Sequence, residues 1–126
     1  MSTQTVLIVE DEDNVTPLEI ALAALDGVQV VILGNGREAI ELLQRPSMNI
    51  VAVITDLHVP QVDGFELIKA IRADKRYARL PVVVVSGDNH PGVPERLRGL
   101  GANAFFSKPY SPVEVRKTLR GLLHAT

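Results

Sequence analysis

The 126-residue sequence has no cysteine and no tryptophan. Without cysteine there can be no disulfide, thiolate metal site or cysteine nucleophile. Aromatic residues make up 4% of the chain against 46% hydrophobic residues overall, so the core has to be aliphatic. Surplus positive charge is missing too. The formal net charge is −2, whereas a nucleic-acid-binding face is usually markedly basic. No apolar run approaches the roughly 18 residues of a membrane span. The opening stretch MSTQTVLIVEDED lacks the basic region that precedes the apolar part of a signal peptide. These absences predict one cytoplasmic domain over 1–126, with neither nucleic acid nor membrane as a partner, and long enough for a real core.

What is present is a repeated alternation. Short β-branched apolar runs at 5–9 (TVLIV), 28–33 (VQVVIL), 50–54 (IVAVI), 81–85 (PVVVV) and 104–107 (AFFS) read as strands. Such runs suit a parallel sheet buried on both faces. Between them lie helical patterns. Leu18, Leu22 and Leu25 recur at helical spacing in a helix expected at 14–26, with Asp13 or Asn14 as its cap and Pro17 tolerable only in its first turn. Ala39, Ile40 and Leu43 mark a second helix that stops by Pro46, and Asp63-Gly64 opens a third along Phe65, Leu67, Ile68 and Ile71. Prolines 91 and 94 leave a short fourth helix at about 94–100. A fifth spans about 111–123 on a stripe of Val115, Leu119 and Leu122. The Gly34-Asn35-Gly36 stretch follows the second strand and lacks a third glycine, so it reads as a tight turn rather than a dinucleotide fingerprint. Five strands alternating with five helices require right-handed crossovers and helices on both faces of the sheet.

Ligands of open α/β sheets bind at the carboxyl ends of the strands. The first strand ends in Glu10-Asp11, the third in Asp56, the fourth in Ser86 and the fifth in Lys108. Three carboxylates, a hydroxyl and an ammonium are thereby expected along one edge. Crowded carboxylates raise one another's pKa unless a cation intervenes. A hard, oxygen-seeking ion suits them, and Mg²⁺ takes a few carboxylates, a carbonyl, waters and phosphate oxygens.

With its spacing, this cluster resembles the receiver domain of two-component response regulators. The resemblance runs through VLIVEDE, NGREAIELL, TDLHVPQVDGFEL, VVVVSGD and FFSKPY, in order and on the right elements. It implies a flavodoxin-like (βα)5 fold, doubly wound, with a five-stranded parallel sheet in the order 2-1-3-4-5. It implies that Asp56 takes a phosphoryl group from a phosphohistidine of a sensor histidine kinase or histidine phosphotransfer protein. Asp11, Asp56 and the backbone carbonyl of His58 would ligate Mg²⁺, or Mn²⁺ in its place, with Glu10 holding a metal-bound water. Lys108 would pair with Asp56 at rest and with a phosphoryl oxygen afterwards, aimed inward by a cis bond to Pro109. Ser86 would contact the phosphoryl group, and Ser86 and Phe105 would form the switch, with Phe106 the other aromatic for the outward position. His58 and Asp88, each two residues beyond a site residue, would tune dephosphorylation. The face of the fourth helix, fifth strand and fifth helix would then act on a partner protein or output domain. Separate substrate turnover is not implied; the domain would assist only its own phosphotransfer and dephosphorylation.

Two features depart from the family pattern. Phe105 lacks the hydroxyl of a Tyr or Thr switch residue, and GANAFF lacks the acidic pair found before this strand in regulators that dimerise through that face. Rival readings fare less well. A phosphatase of the haloacid dehalogenase type needs a second Asp at the position of His58, and a flavin carrier needs a Ser/Thr-rich loop where Glu10 to Asp13 stand. A degenerate receiver, docking proteins without phosphate, usually loses an acid, the acceptor or the lysine, all of which are kept here. It remains the alternative, because competent residues do not require a cognate kinase.

Overall fold

A computed structural model of the chain describes residues 3–10, 15–45 and 47–124. Five parallel strands are present: β1 (Gln4–Val9), β2 (Val28–Leu33), β3 (Ile50–Thr55), β4 (Val82–Ser86) and β5 (Ala104–Ser107). They lie in the order β2-β1-β3-β4-β5, the doubly wound flavodoxin-like arrangement. The helices are α1 (Thr16–Ala23), α2 (Gly36–Leu43), α3 (Gly64–Ala73), α4 (Val93–Leu100) and α5 (Pro112–His124). Among the described residues no helix is long and apolar enough to cross a membrane.

Side chains alternate across the sheet, so the central strands feed two cores. Leu7, Val9, Val53, Val82 and Val84 pack with α2, α3 and α4 through Leu43, Ile68, Ile71 and Leu97. Val6, Ile8, Ala52, Ile54, Val83 and Val85 pack with α1 and α5 through Leu18, Leu22, Val115 and Leu119. Burial of an aliphatic side chain contributes about 1.5–3 kcal/mol, and β1, β3 and β4 are lined with them on both faces. That is why their sequences read as unbroken apolar runs.

The first helix corrects the sequence-based expectation of 14–26. It spans Thr16–Ala23, with Pro17 in its first turn and no side-chain cap at Val15. The expected caps Asp13 and Asn14 lie outside the described residues. At its end the Ala24 and Leu25 amides bond back only three residues, to Ala21 and Leu22, tightening the chain before Gly27 at φ 75°. Leu25 is buried all the same, but from the turn rather than from the helix. The charged connection after α3 also has more structure than its sequence suggested: Lys75–Tyr77 form a 3-10 turn whose Arg76 amide is capped by the Asp74 side chain.

Two helix starts position the loop that leaves β3. The Asn35 side chain caps α2 by accepting the Glu38 amide at 2.9 Å, so the Gly-Asn-Gly stretch is a helix cap. A Cβ at Gly36 would collide with the Val62 carbonyl oxygen. Asp63 and Glu66 form a reciprocal capping box on α3. A Cβ at Gly64 would lie 2.5 Å from the Asp56 carbonyl oxygen and 2.8 Å from Leu57 Cα. The loop after Asp56 is thus wedged between two helix N-termini whose glycines let the backbones approach.

Candidate functional site

Asp56 leaves β3 at its carboxyl end and is only 5% exposed. Its backbone amide donates to the Val9 carbonyl at 3.0 Å, continuing the β1–β3 pairing one residue past the strand. Its carbonyl accepts the Thr55 hydroxyl at 2.7 Å. Carboxylate oxygen Oδ1 accepts the amides of Leu57 (2.5 Å) and His58 (3.3 Å), and Oδ2 accepts the Lys108 ammonium at 2.7 Å. Burial pushes the Asp56 carboxyl up, but the Lys108 hydrogen bond, the His58 and Leu57 amides and the ammonium charge together hold it below its ordinary value. The carboxylate is therefore ionised and oriented at neutral pH.

Lys108 reaches the same point from the end of β5, and its peptide bond to Pro109 is cis. Its ammonium also donates to Glu10 Oε2 at 2.9 Å, and Glu10 is only 6% exposed. Burial alone would lower the Lys108 pKa; its bonds to Asp56 and Glu10 raise it instead. One nitrogen thus bridges the carboxylates at the ends of β1 and β3. The family resemblance implied that Glu10 holds a metal-bound water; the structure adds a direct bond to the lysine, 98 residues away.

Ser86 is fully buried at the end of β4, and its hydroxyl accepts the Asp88 amide at 3.1 Å. Accepting leaves the hydroxyl proton free to be aimed elsewhere. Asp88 in turn joins two loops: Oδ2 meets His58 Nε2 at 3.0 Å, and Oδ1 meets His90 Nδ1. Hydrogen bonds from the His90 side chain and backbone, then from His58, hold the Asp88 carboxyl well below the usual carboxylate range. The sequence had singled out His58 and Asp88 but not their contact, nor His90. The local signal was the Asp-x-His spacing, since the His90 amide closes an Asx turn on Asp88.

The two aromatics of β5 divide between the cores. Phe105 packs beside α3 and α4 and lines a groove of about 200 Å³ with Pro94, Leu97, Arg98, Ala102 and Asn103. Phe106 packs on the other face, with α1 and α5. Each is half-buried, and only Phe105 lies on the α4 side.

The donor set suits a hard divalent cation. Two carboxylates from different strands lie close enough to share one nitrogen, and Asp56 and Glu10 offer only oxygen. Among the described residues no three His, Cys, Asp or Glu side chains are grouped closely enough to hold a metal. Asp11, expected to be the third acid, lies outside the described residues.

Comparison with known proteins places this geometry in context. Residues 6–120 match the profile of the response regulator receiver domain. Response regulator Rre1 of Synechocystis sp. is 35% identical over 124 residues, covering 94% of this chain and 51% of that protein. The polar-differentiation response regulator DivK of Brucella anthropi is 30% identical over 122 residues, covering 95% of this chain and 96% of DivK. The chain thus spans about half the length of the one relative and nearly all of the other. The crystal structure of the receiver domain of sensor histidine kinase PA1611 from Pseudomonas aeruginosa PAO1 superimposes with a TM-score of 0.82, covering 98% of this chain and 100% of that one at 26% identity. That domain has a magnesium ion coordinated in its active site cleft.

Proposed function

Because this chain belongs to the response regulator receiver family of two-component signalling, we propose that Asp56 is its phosphoacceptor. The donor is a phosphohistidine of a sensor histidine kinase or histidine phosphotransfer protein. One observation carries the reading: the Lys108 ammonium lies 2.7 Å from Asp56 Oδ2 and 2.9 Å from Glu10 Oε2 in a pocket where both acids are almost wholly buried. Phosphoryl transfer is largely positioning and charge neutralisation, and these groups supply both.

In the transfer, a carboxylate oxygen of Asp56 bonds to phosphorus while the P–N bond breaks, and its electron pair leaves on the imidazole nitrogen. The amides of Leu57 and His58 hold the carboxylate in its attacking orientation. Lys108 passes from the carboxylate to a phosphoryl oxygen, and Ser86 turns its hydroxyl proton toward another. Glu10, Asp11, Asp56 and the His58 carbonyl would hold Mg²⁺ or Mn²⁺, which offsets the charge of the incoming phosphoryl oxygens when bound. His58 and Asp88, tied across the mouth of the pocket, tune the approach of the water that removes the phosphoryl group.

Phosphorylation adds about −1.5 to −2 charges. Ser86 and Lys108 satisfy the new oxygens together in one arrangement only, so the balance between two conformers shifts. Phe105 moves with the Ser86 loop and reshapes the groove beside α4. The α4-β5-α5 face is thereby the surface that reads out to a partner protein or output domain.

The test is incubation with Mg²⁺ and acetyl phosphate followed by intact mass measurement, with Asp56→Asn alongside. A gain of one phosphoryl group in the parent alone, lost on chelating the metal, is expected. No adduct, with beryllofluoride also failing to bind, would leave a phosphate-independent docking module as the function.

A further inference from the structure

Thr55 ends β3 after five apolar residues and is fully buried. Its register partners on the flanking strands are Val9 and Val84, and a buried hydroxyl costs stability unless it is hydrogen-bonded. Valine would fill the same space without that cost. The hydroxyl's partner is the Asp56 carbonyl oxygen, 2.7 Å away.

That carbonyl shares a planar peptide unit with the Leu57 amide, so the direction of one fixes the direction of the other. The Leu57 amide is the closer of the two backbone donors to Asp56 Oδ1, at 2.5 Å against 3.3 Å for His58. Gly64 closes the remaining space, since even a Cβ there would come within 2.5 Å of the same carbonyl oxygen. The Asp56–Leu57 peptide is gripped by a hydroxyl at one end and by the Asp56 carboxylate at the other.

We propose that Thr55 is a positioning residue, which orients the Asp56 carboxylate through the Asp56–Leu57 peptide plane. For function this rests on Asp56 being the phosphoacceptor. Without the hydroxyl the peptide rocks, the Leu57 amide leaves Oδ1 more often, and the carboxylate spends less time in its attacking orientation. Small misplacements of a reacting group are expensive in rate.

The experiment compares Thr55→Val and Thr55→Ser with the parent by two readouts. The first, amide hydrogen exchange at Leu57 measured by NMR on metal-free protein, needs no phosphotransfer. In Thr55→Val that exchange is expected to quicken about tenfold while amides of β1 and α3 keep their rates. The second is phosphate uptake from acetyl phosphate. Its maximal rate should fall about tenfold in Thr55→Val, with the half-saturating concentration within about twofold of the parent. Thr55→Ser, which keeps the hydroxyl, should restore both. Thr55→Ala replaces Thr55→Val if the latter does not fold. Unchanged Leu57 exchange, parental uptake in the hydroxyl-free variant, or a serine variant as slow as valine overturns the proposal. If the parent takes up no phosphate, the phosphoacceptor reading falls and Leu57 exchange alone decides whether Thr55 orients the carboxylate.

Discussion

At the carboxyl edge of the sheet, Lys108 is held by the two carboxylates of Glu10 and Asp56. At the amino edge, Arg72 at the end of α3 is held by neutral oxygens. Its guanidinium donates twice to the Gly101 carbonyl (3.1 and 2.7 Å), once to the Tyr77 carbonyl (2.9 Å) and once to Asn103 Oδ1 (3.0 Å). Asn103 Oδ1 also accepts the Val82 amide, so the same cluster fixes the start of β4. Burial pulls the Arg72 pKa down, but an arginine stays charged through such a shift. The difference lies in what each cation can give up. A planar fork that has spent its donors on carbonyl oxygens of backbone and side-chain amides is a staple. An ammonium on a flexible stem, held by charges, can be re-aimed when a more strongly charged group arrives.

The largest effect expected at either edge comes from Lys108→Ala. Phosphate uptake should fall about 10²–10³-fold, the scale seen when one electrostatic donor is removed from a reacting centre. Its melting temperature should also acquire a telling pH dependence. In the parent, Asp56 titrates below its usual 3.8 and Lys108 above its usual 10.5. The stability each contributes is therefore complete between about pH 4 and 10, lost as pH falls through the lowered carboxyl pKa or rises through the raised ammonium pKa. Without the ammonium, two of the causes that lower the carboxyl are gone, so the folded carboxyl titrates higher than it does in the parent. Metal-free melts of Lys108→Ala should then rise relative to the parent as pH is lowered from about 7 toward 4. A difference that falls over that range would contradict the charge balance described here.

Arg72→Ala should do the opposite at the other edge. Urea unfolding is expected to show a loss of about 2–3 kcal/mol from the abandoned carbonyls. Phosphate uptake should stay within about twofold of the parent. If uptake fell as far as in Lys108→Ala, the two edges would not be independent.

Each edge also has a glycine under close approach, and substituting them sharpens the contrast. Gly64→Ala pushes against the Asp56 carbonyl and Leu57 Cα, so it should slow uptake about tenfold. Gly101 has φ 105°, and a Cβ there would lie 2.8 Å from Arg72 Nε. Gly101→Ala should cost about 1–3 kcal/mol of stability and leave uptake alone. The smallest effect belongs to Arg96→Ala on α4. Arg96 stacks 3.9 Å over the Phe65 ring beside the loop that follows Asp56, and its loss should cost about 0.5–1 kcal/mol in the same unfolding measurement.

The contrast also marks what could be read from the residues alone. Asp56, Ser86 and Lys108 could be brought to one edge because each follows an apolar run, and strand ends of a parallel sheet share an edge. Lys108 stood out through its proline neighbour. Arg72 had no such signal, because it sits among other basic residues on a helix and two of its three partners come 29 and 31 residues later. Thr55 was visible, but its hydroxyl bond depends on backbone directions that side-chain periodicity does not encode. The first helix was drawn too long because Leu25 keeps the apolar spacing after the backbone has left the helix. Spacing reports burial, and a tight turn can bury a leucine as well as a helix can.

The span of the Lys108 contacts has a consequence for biosynthesis. Its ammonium pairs with a carboxylate 52 residues earlier and another 98 residues earlier. A ribosome adding roughly 5–20 residues per second makes Asp56 several seconds before the lysine exists. β5 pairs with β4 at the far end of the row, so the last-made strand of this sheet is also the one that delivers the charge. Until it docks, the two acids at the heads of β1 and β3 have no ammonium between them. The three-way contact is thus made only in copies whose fifth strand has docked.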